Sequence, residues 1–324
     1  MRRGIRNMEN VMWENETIYH YTSSKAINEI VTDNGISLWF SRVDCLNDIT
    51  ESRVVVDIQQ QVCDELKEIY KEDTDKISIL DNIRNLRPNF KELFFTGSAP
   101  TTEEELENEG SHRANITIYS LEAVPYICCF SYAKDDITMW NYYTKGSRYE
   151  GYNLGLNPYK MRAKLVDIEG NIINEEPKLR FDSFEVIYDR EKQKDLVRKE
   201  IEHYLSKKIF SESEEHTYML NLNKWALKFK NEVFKHEQEE RLICYIPKKD
   251  NAVNFSLKDY IKFREINGCL VPYLNILIDK SALKEIVIGP LIEKEMAKST
   301  IELLLELRGY ESIEVDCSKV PVRY

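Results

Sequence analysis

Apolar and polar positions along the chain follow two periods in turn, one of strands and one of helices. Thr17 to Tyr21 is rich in β-branched and aromatic residues and predicts a strand, and Thr22, Ser23 and Ser24 can each cap a following helix. Ala26, Ile27, Ile30 and Val31 recur at helical spacing, and Asn34-Gly35 is read as the left-handed stop before the extended run Ile36 to Phe40. This strand, helix, strand unit sets His20 near a strand end, where side chains of such units face a ligand crevice. The competing reading is a histidine satisfied by a neighbouring backbone group.

Further along, Val55, Ile58, Val62, Leu66 and Ile69 form one helical stripe, and Ile77, Leu80, Ile83 and Leu86 form another that ends before Pro88. The turn formers and glutamates of residues 97–110 read as a solvated loop. An apolar strand ending near Ser131 follows, then a short helix around Met139 to Tyr143 and a strand around Tyr152 to Leu156. "KLRFDSFEVIYD" reads as a strand, residues 191–210 as a charged helix, and Leu222, Trp225, Phe229 and Val233 as one face of a second. In "EERLICYIP", Glu239, Arg241, Ile243 and Tyr245 share one face and Glu240, Leu242, Cys244 and Ile246 the other. The chain closes on strand "EIVIGP", a long helix, strand "IEVDC" and the tail "SKVPVRY".

At 324 residues, 42% hydrophobic and 31% charged, the composition is that of a globular protein. No apolar run reaches the ~18 residues of a membrane span, and the basic "MRRGIRNMEN" lacks the apolar segment of a secretory signal, so a cytoplasmic location is expected. Seven cysteines without a Cys-x-x-Cys pair predict free thiols in a reducing compartment. A net charge of −11 argues against broad attraction to phosphate backbones, while leaving nucleic acid open as a substrate. Phosphate-loop, nucleophile-elbow, zinc-helix and dinucleotide-turn motifs are absent. Asp44, Asp48 and Glu51 suggest a cation site less well than they suggest a turn and helix cap.

The segments "YHYTS", "LWFSRVDCLNDITE", "CFSYAKDDITMWNYY", "KHEQEERLI", "EIVIGP" and "SKVPVRY" resemble, in order, the motifs of the bacterial domain-of-unknown-function family 2971. That resemblance implies one domain over residues 1–324 with a helical insertion at 53–115. The chain is also similar, more distantly, to ADP-ribosyltransferases of the His-Tyr-Glu type. From that similarity follow an α+β fold with a split central sheet and flanking helices, NAD as substrate, and a macromolecular acceptor, protein or nucleic acid. The resemblance extends to a bacterial toxin or phage-defence effector. Carried over residue by residue, His20 contacts the adenosine ribose and Glu239 holds the nicotinamide ribose 2′-hydroxyl. Tyr21 and Thr22 belong to the same cofactor-binding strand.

Chemistry adds to this. Cleaving the nicotinamide–ribose bond develops oxocarbenium charge, which a fixed carboxylate stabilises. Glu239 is the expected catalytic carboxylate, and Glu237, placed on the same face by strand period, orients the acceptor or takes its proton. Glu240 in place of Glu239 is the alternative register. Tyr143 is expected to wall the pocket, with Trp140 mainly packing, and Ser41 to supply a polar contact. Arg42 either binds the pyrophosphate or forms a surface ion pair. An NAD glycohydrolase and a silent ligand-binding module are the other readings. Nothing in the pattern specifies an oligomeric state.

Overall fold

A computed structural model describes residues 17–45, 51–90, 123–144, 149–172, 180–207, 210–247, 249–250, 255–266 and 268–322. The strands are β1 (Ile18–Ser23), β2 (Val31–Thr32), β3 (Gly35–Arg42), β4 (Ala123–Ser131), β5 (Gly151–Leu156), β6 (Ala163–Val166), β7 (Arg180–Glu185), β8 (Glu239–Pro247), β9 (Lys249–Asp250), β10 (Phe255–Ser256), β11 (Ile261–Ile266), β12 (Cys269–Ile278), β13 (Leu283–Ile288) and β14 (Glu314–Cys317). The helices are α1 (Ile27–Ile30), α2 (Glu51–Ile69), α3 (Thr74–Asn85), α4 (Ile137–Tyr143), α5 (Arg190–Leu205), α6 (Glu212–Lys228) and α7 (Lys294–Leu307).

The protein is α+β. One large mixed sheet runs β11-β12-β3-β4-β1-β5-β13-β14, with β8 and β7 continuing from β4, and β9 and β10 form a separate hairpin. Among the described strands of the large sheet only β13 and β14 pair in parallel, and the crossover between them is α7, which turns Ala297, Ile301 and Leu305 inward. The sheet forks at β4. Along its whole length β4 pairs with β8, so its other edge must serve both remaining neighbours. On that edge β3 pairs only at Tyr126 and Ile127, and β1 only at Ser131. Cys128, Cys129 and Phe130 therefore face a gap between two diverging branches.

The faces of the sheet obey the alternation expected of β8. Leu242, Cys244 and Ile246 join Ile18, Phe40 and Phe130 in the main core, while Ile243 and Tyr245 pack on the opposite side with Ile127 and Leu227. A second core lies among helices: Val55, Ile58, Val62 and Leu66 of α2 meet Ile79, Leu80 and Ile83 of α3, Val197 and Ile201 of α5, and Tyr218 and Leu222 of α6. Gln59, fully buried there, satisfies the end of α3 by donating Nε2 to the Ile83 and Leu86 carbonyls, and accepts from the Tyr218 hydroxyl at 3.0 Å. Helices α2 and α3 thus share their core with α5 and α6. Residues 91–115 of the expected insertion, and the solvated loop read at 97–110, lie outside the described residues.

Two local expectations need correction. Asn34-Gly35 does not stop a helix. The helix α1 is a single turn without a side-chain cap, and the chain at once forms β2, paired back on β3 through Val31 with Ile36 and Thr32 with Gly35. Asn-Gly serves a hairpin as well as a helix end, and here the sheet claims it. Gly35 has φ 147°, and a Cβ there would stand 2.3 Å from the Ile278 carbonyl oxygen, so the close approach of β12 itself requires glycine. Val233 lies beyond the end of α6 in a short 3-10 turn and is 70% exposed, because the helical period stops at Lys228. No helix among the described residues is long and apolar enough to cross a membrane.

Candidate active site at the fork

A narrow cleft is lined by Tyr19, His20, Tyr21, Cys129, Phe130, Met139, Tyr143, Glu237 and Glu239. Residues of β1, of β4 and α4, and of the turn into β8 meet there. Its free volume, about 10 Å³, is that of one water molecule.

The strand β1 carries His20 at its centre rather than its end. The Nδ1–H donates to the Cys129 carbonyl at 3.2 Å, one of the groups the fork leaves without a ladder partner. Burial holds the imidazole pKa below its ordinary value, with the Arg264 charge adding to the effect. The ring is then neutral at pH 7, and Nε2 is an acceptor. The backbone-satisfied histidine and the cleft-lining histidine are one and the same residue.

Tyr143 reaches the cleft on α4, whose placement is strongly determined. Asp136 caps it, accepting from the Thr138 and Met139 amides. Trp140, fully buried, packs edge-on to Tyr21 at 4.8 Å and donates its indole N–H to Asp135 at 2.7 Å. Asp135 in turn accepts from the Ser318 hydroxyl and the Lys319 amide, both at 2.7 Å, so the tail motif ties down this helix. Tyr21 completes the anchorage, donating its hydroxyl to the Ala133 carbonyl and accepting from the Asp136 amide. Tyr143 as a whole residue keeps 41% of its surface exposed, while its hydroxyl end is turned inward. Its hydroxyl pKa is raised well above the usual phenol value by burial, with Cys129, Glu237 and Glu239 contributing.

The two glutamates converge, but not by strand period. Glu237 ends a 3-10 turn, Gln238 is left-handed at φ 44°, ψ 53°, and β8 begins only at Glu239. The expectation that both carboxylates share a strand face is therefore corrected: Lys230 unites them, donating to Glu237 Oε2 at 2.6 Å and to Glu239 Oε2 at 2.9 Å. Ser131 pins the turn by donating to the Glu237 carbonyl at 2.6 Å. Glu239 also receives Arg241 Nε at 2.8 Å and Nη2 at 3.1 Å, and Arg241 is wholly buried.

These partners push the carboxylates apart in acidity. Burial would raise Glu239, but the charges of Arg241 and Lys230, with hydrogen bonds from Arg241 and Cys129, bring it down to about 2. Burial dominates for Glu237 and leaves its pKa raised against the pull of Lys230. Its Oε1 takes no donor from the described residues.

The remaining expected residues lie elsewhere. Thr22 is buried in β1 and does not line the cleft. Ser41 sits across the gap on β3, accepting from Arg264. Arg42 pairs with Asp44 at 2.6 Å on the surface, and Asp48 lies outside the described residues. Glu240 points to the opposite face from Glu239, accepting from Tyr132 at 2.9 Å and from Ser183. Sequence reasoning missed Lys230 and Cys129, which hydrogen-bond or line the carboxylate cluster. Register marks Cys129 in retrospect, since it pairs with Arg241 on the Glu239 face.

Residues 139–242 match the family DUF2971, a protein family of unknown function. The matched segment carries Tyr143, Lys230, Glu237, Glu239 and Arg241, whereas His20, Ser41 and Arg264 fall outside it. No curated protein and no solved structure matches the chain.

Glu240 yields a prediction of its own. Burial raises its pKa from 4.5 to about 7 despite the Ser183 and Tyr132 hydrogen bonds. Between those values the folded state keeps a proton that the unfolded state has released, so stability falls as pH rises through this window. Urea denaturation should show about 2–3 kcal/mol lost from this group between pH 5 and pH 8. Glu240→Gln should remove that loss, since an amide is neutral throughout, accepts from one hydroxyl at its oxygen and donates its NH2 to the other. Equal pH slopes in wild type and variant would refute the assignment.

Proposed function

We propose that the protein is an NAD-dependent ADP-ribosyltransferase, moving ADP-ribose from NAD to a protein or nucleic-acid acceptor. The observation that carries this reading is the convergence of His20, Tyr143, Glu237 and Glu239 on one cleft, with the acidities of the two carboxylates driven in opposite directions. Such divergence assigns roles: the group held ionised provides fixed charge, and the group with raised pKa exchanges protons.

In this mechanism neutral His20 accepts a hydrogen bond from a ribose hydroxyl at Nε2. The Tyr143 ring lies against the nicotinamide. Heterolysis of the nicotinamide C1′–N bond leaves the electron pair on the departing neutral nicotinamide and positive charge on the ribose, which Glu239 faces as a permanent anion. The acceptor then bonds to C1′ and gives up its proton to Glu237. Because the closed cleft has room for about one water molecule, nucleotide entry requires displacement of a wall, and the half-exposed Tyr143 is the wall with least to lose.

Incubating the purified protein with NAD labelled in its adenylate half and a bacterial lysate tests the reading. The expected result is nicotinamide release matched by label on macromolecules. Release with free ADP-ribose and no adduct would make the protein a glycohydrolase, and neither product would overturn the enzymatic reading.

A further inference from the structure

On the far side of the gap from His20 lies a cation with little to hold. Arg264 projects from β11, the outermost strand of its branch, and passes over β12 to reach β3. Its guanidinium carbon lies 5.2 Å from the centre of the Trp39 ring and 5.7 Å from that of Tyr273, two rings that themselves pack 4.7 Å apart. Nη2 donates to Ser41 Oγ at 2.7 Å. Nothing else among the described residues answers it: Nε is buried without a hydrogen-bond partner, and no described carboxylate pairs with the guanidinium. A buried N–H without an acceptor is rare.

The position of this group matters as much as its isolation. Ser41 pairs with Ile127, beside the gap on the β3 branch, while Tyr19 pairs with Ser131 beside it on the β1 branch. Three residues of β4, Cys128 to Phe130, lie between these pairs, so four strand steps separate them, a span of about 13 Å. His20 therefore stands at one bank and the guanidinium at the other. Ser41 engages one N–H of Arg264 and Nε has no acceptor, so the guanidinium keeps donor capacity of the kind that binds phosphate oxygens.

We propose that Arg264 is an anion anchor, seated between Trp39, Tyr273 and Ser41, that binds a phosphate of the nucleotide entering the fork. The anchor deepens the transferase reading and rests on it for the identity of the nucleotide. It also replaces Arg42, whose guanidinium Asp44 already occupies, as the group that meets the pyrophosphate.

ADP is the probe, because it carries the phosphates and lacks the scissile nicotinamide ribose. Calorimetry on the full chain should show ADP binding to wild type and a loss of about tenfold or more in Arg264→Gln, the scale of one charge-assisted hydrogen-bonded pair. Arg264→Lys should retain an intermediate affinity, since the charge stays while the paired donors go, and it carries the comparison if the glutamine variant does not fold on a thermal melt. Pyrophosphate binding as tightly as ADP, with the same dependence on Arg264, would support the anchor and mark the phosphates as its whole ligand; weaker binding would support it with the nucleoside contributing. ADP affinity unchanged in both variants, or absent in wild type, would overturn it. The two readings separate cleanly. Arg264-dependent ADP binding without any NAD cleavage sinks the transferase and keeps the anchor, whereas NAD cleavage with an unaltered KM in Arg264→Gln does the reverse.

Discussion

Arg241→Met is expected to cost about 3–5 kcal/mol of folding stability at pH 7, the largest loss from any single change at the site. The reason is the partner it abandons. Glu239 is 3% exposed, and Arg241 supplies two of the hydrogen bonds that keep its carboxylate ionised there. With Lys230 the one cation left among the described residues, shared with Glu237, the cluster passes from balance to an excess buried negative charge. Methionine matches the arginine stem well enough that a cavity is not the main term, and the lost donor to the Leu227 carbonyl adds a second unsatisfied group. Chemical denaturation can read this directly. The pH dependence supplies an internal check: wild-type Glu239 titrates in the fold at about 2 rather than 4.5, so its contribution is complete above pH 4.5 and fades as pH falls towards 2. Removing Arg241 lets the Glu239 pKa rise, so the variant should lose less than wild type on acidification. Arg241→Met combined with Glu239→Gln should be less damaging than the two changes summed, because each alone strands the other's charge. Additive losses would mean that the pair is not an energetic unit.

The parts of this site written in local pattern were legible in the sequence. The alternation of β8 put Glu239 with Arg241 and Glu240 with Leu242, as their pairing with Ser131 through Cys128 on β4 bears out. Apolar spacing marked α2, α3 and α4. What escaped was set by single backbone conformations or by distance. One left-handed residue, Gln238, breaks the strand period between Glu237 and Glu239, and no periodicity can anticipate it. Lys230 lies just past the end of α6, where the helical stripe no longer constrains a side chain. Arg264 meets Ser41 across 223 residues of chain, a juxtaposition made by strand order alone. Asn34-Gly35 carried real information, but about a left-handed turn rather than about which element the turn ends.

Glutamine substitutions at the three glutamates should separate their roles by more than an order of magnitude in rate. On the transferase reading, Glu239→Gln removes the anion proposed to face the oxocarbenium, and nicotinamide release should fall by about 10²–10³. The same change leaves Lys230 and Arg241 facing one carboxylate instead of two, so a stability loss accompanies it and rates must be compared on folded material. Glu237→Gln is the cleaner experiment, because that carboxylate holds only one described cation and presents Oε1 without a donor. It should slow transfer by about 10²–10⁴, and slow it more than nicotinamide release, since the proton is taken after the C1′–N bond has largely broken. In wild type the transfer rate should rise with pH through the raised pKa of Glu237, and the glutamine variant should lose that rise. Glu240→Gln, on the opposite face, should leave both rates near wild type. Turnover abolished by Glu240→Gln and spared by the other two would move the reaction to the other face of the sheet. Three folded variants all working at the wild-type rate would remove carboxylates from the mechanism, and the Lys230–Glu237–Glu239–Arg241 cluster would then be a structural clasp holding the turn into β8.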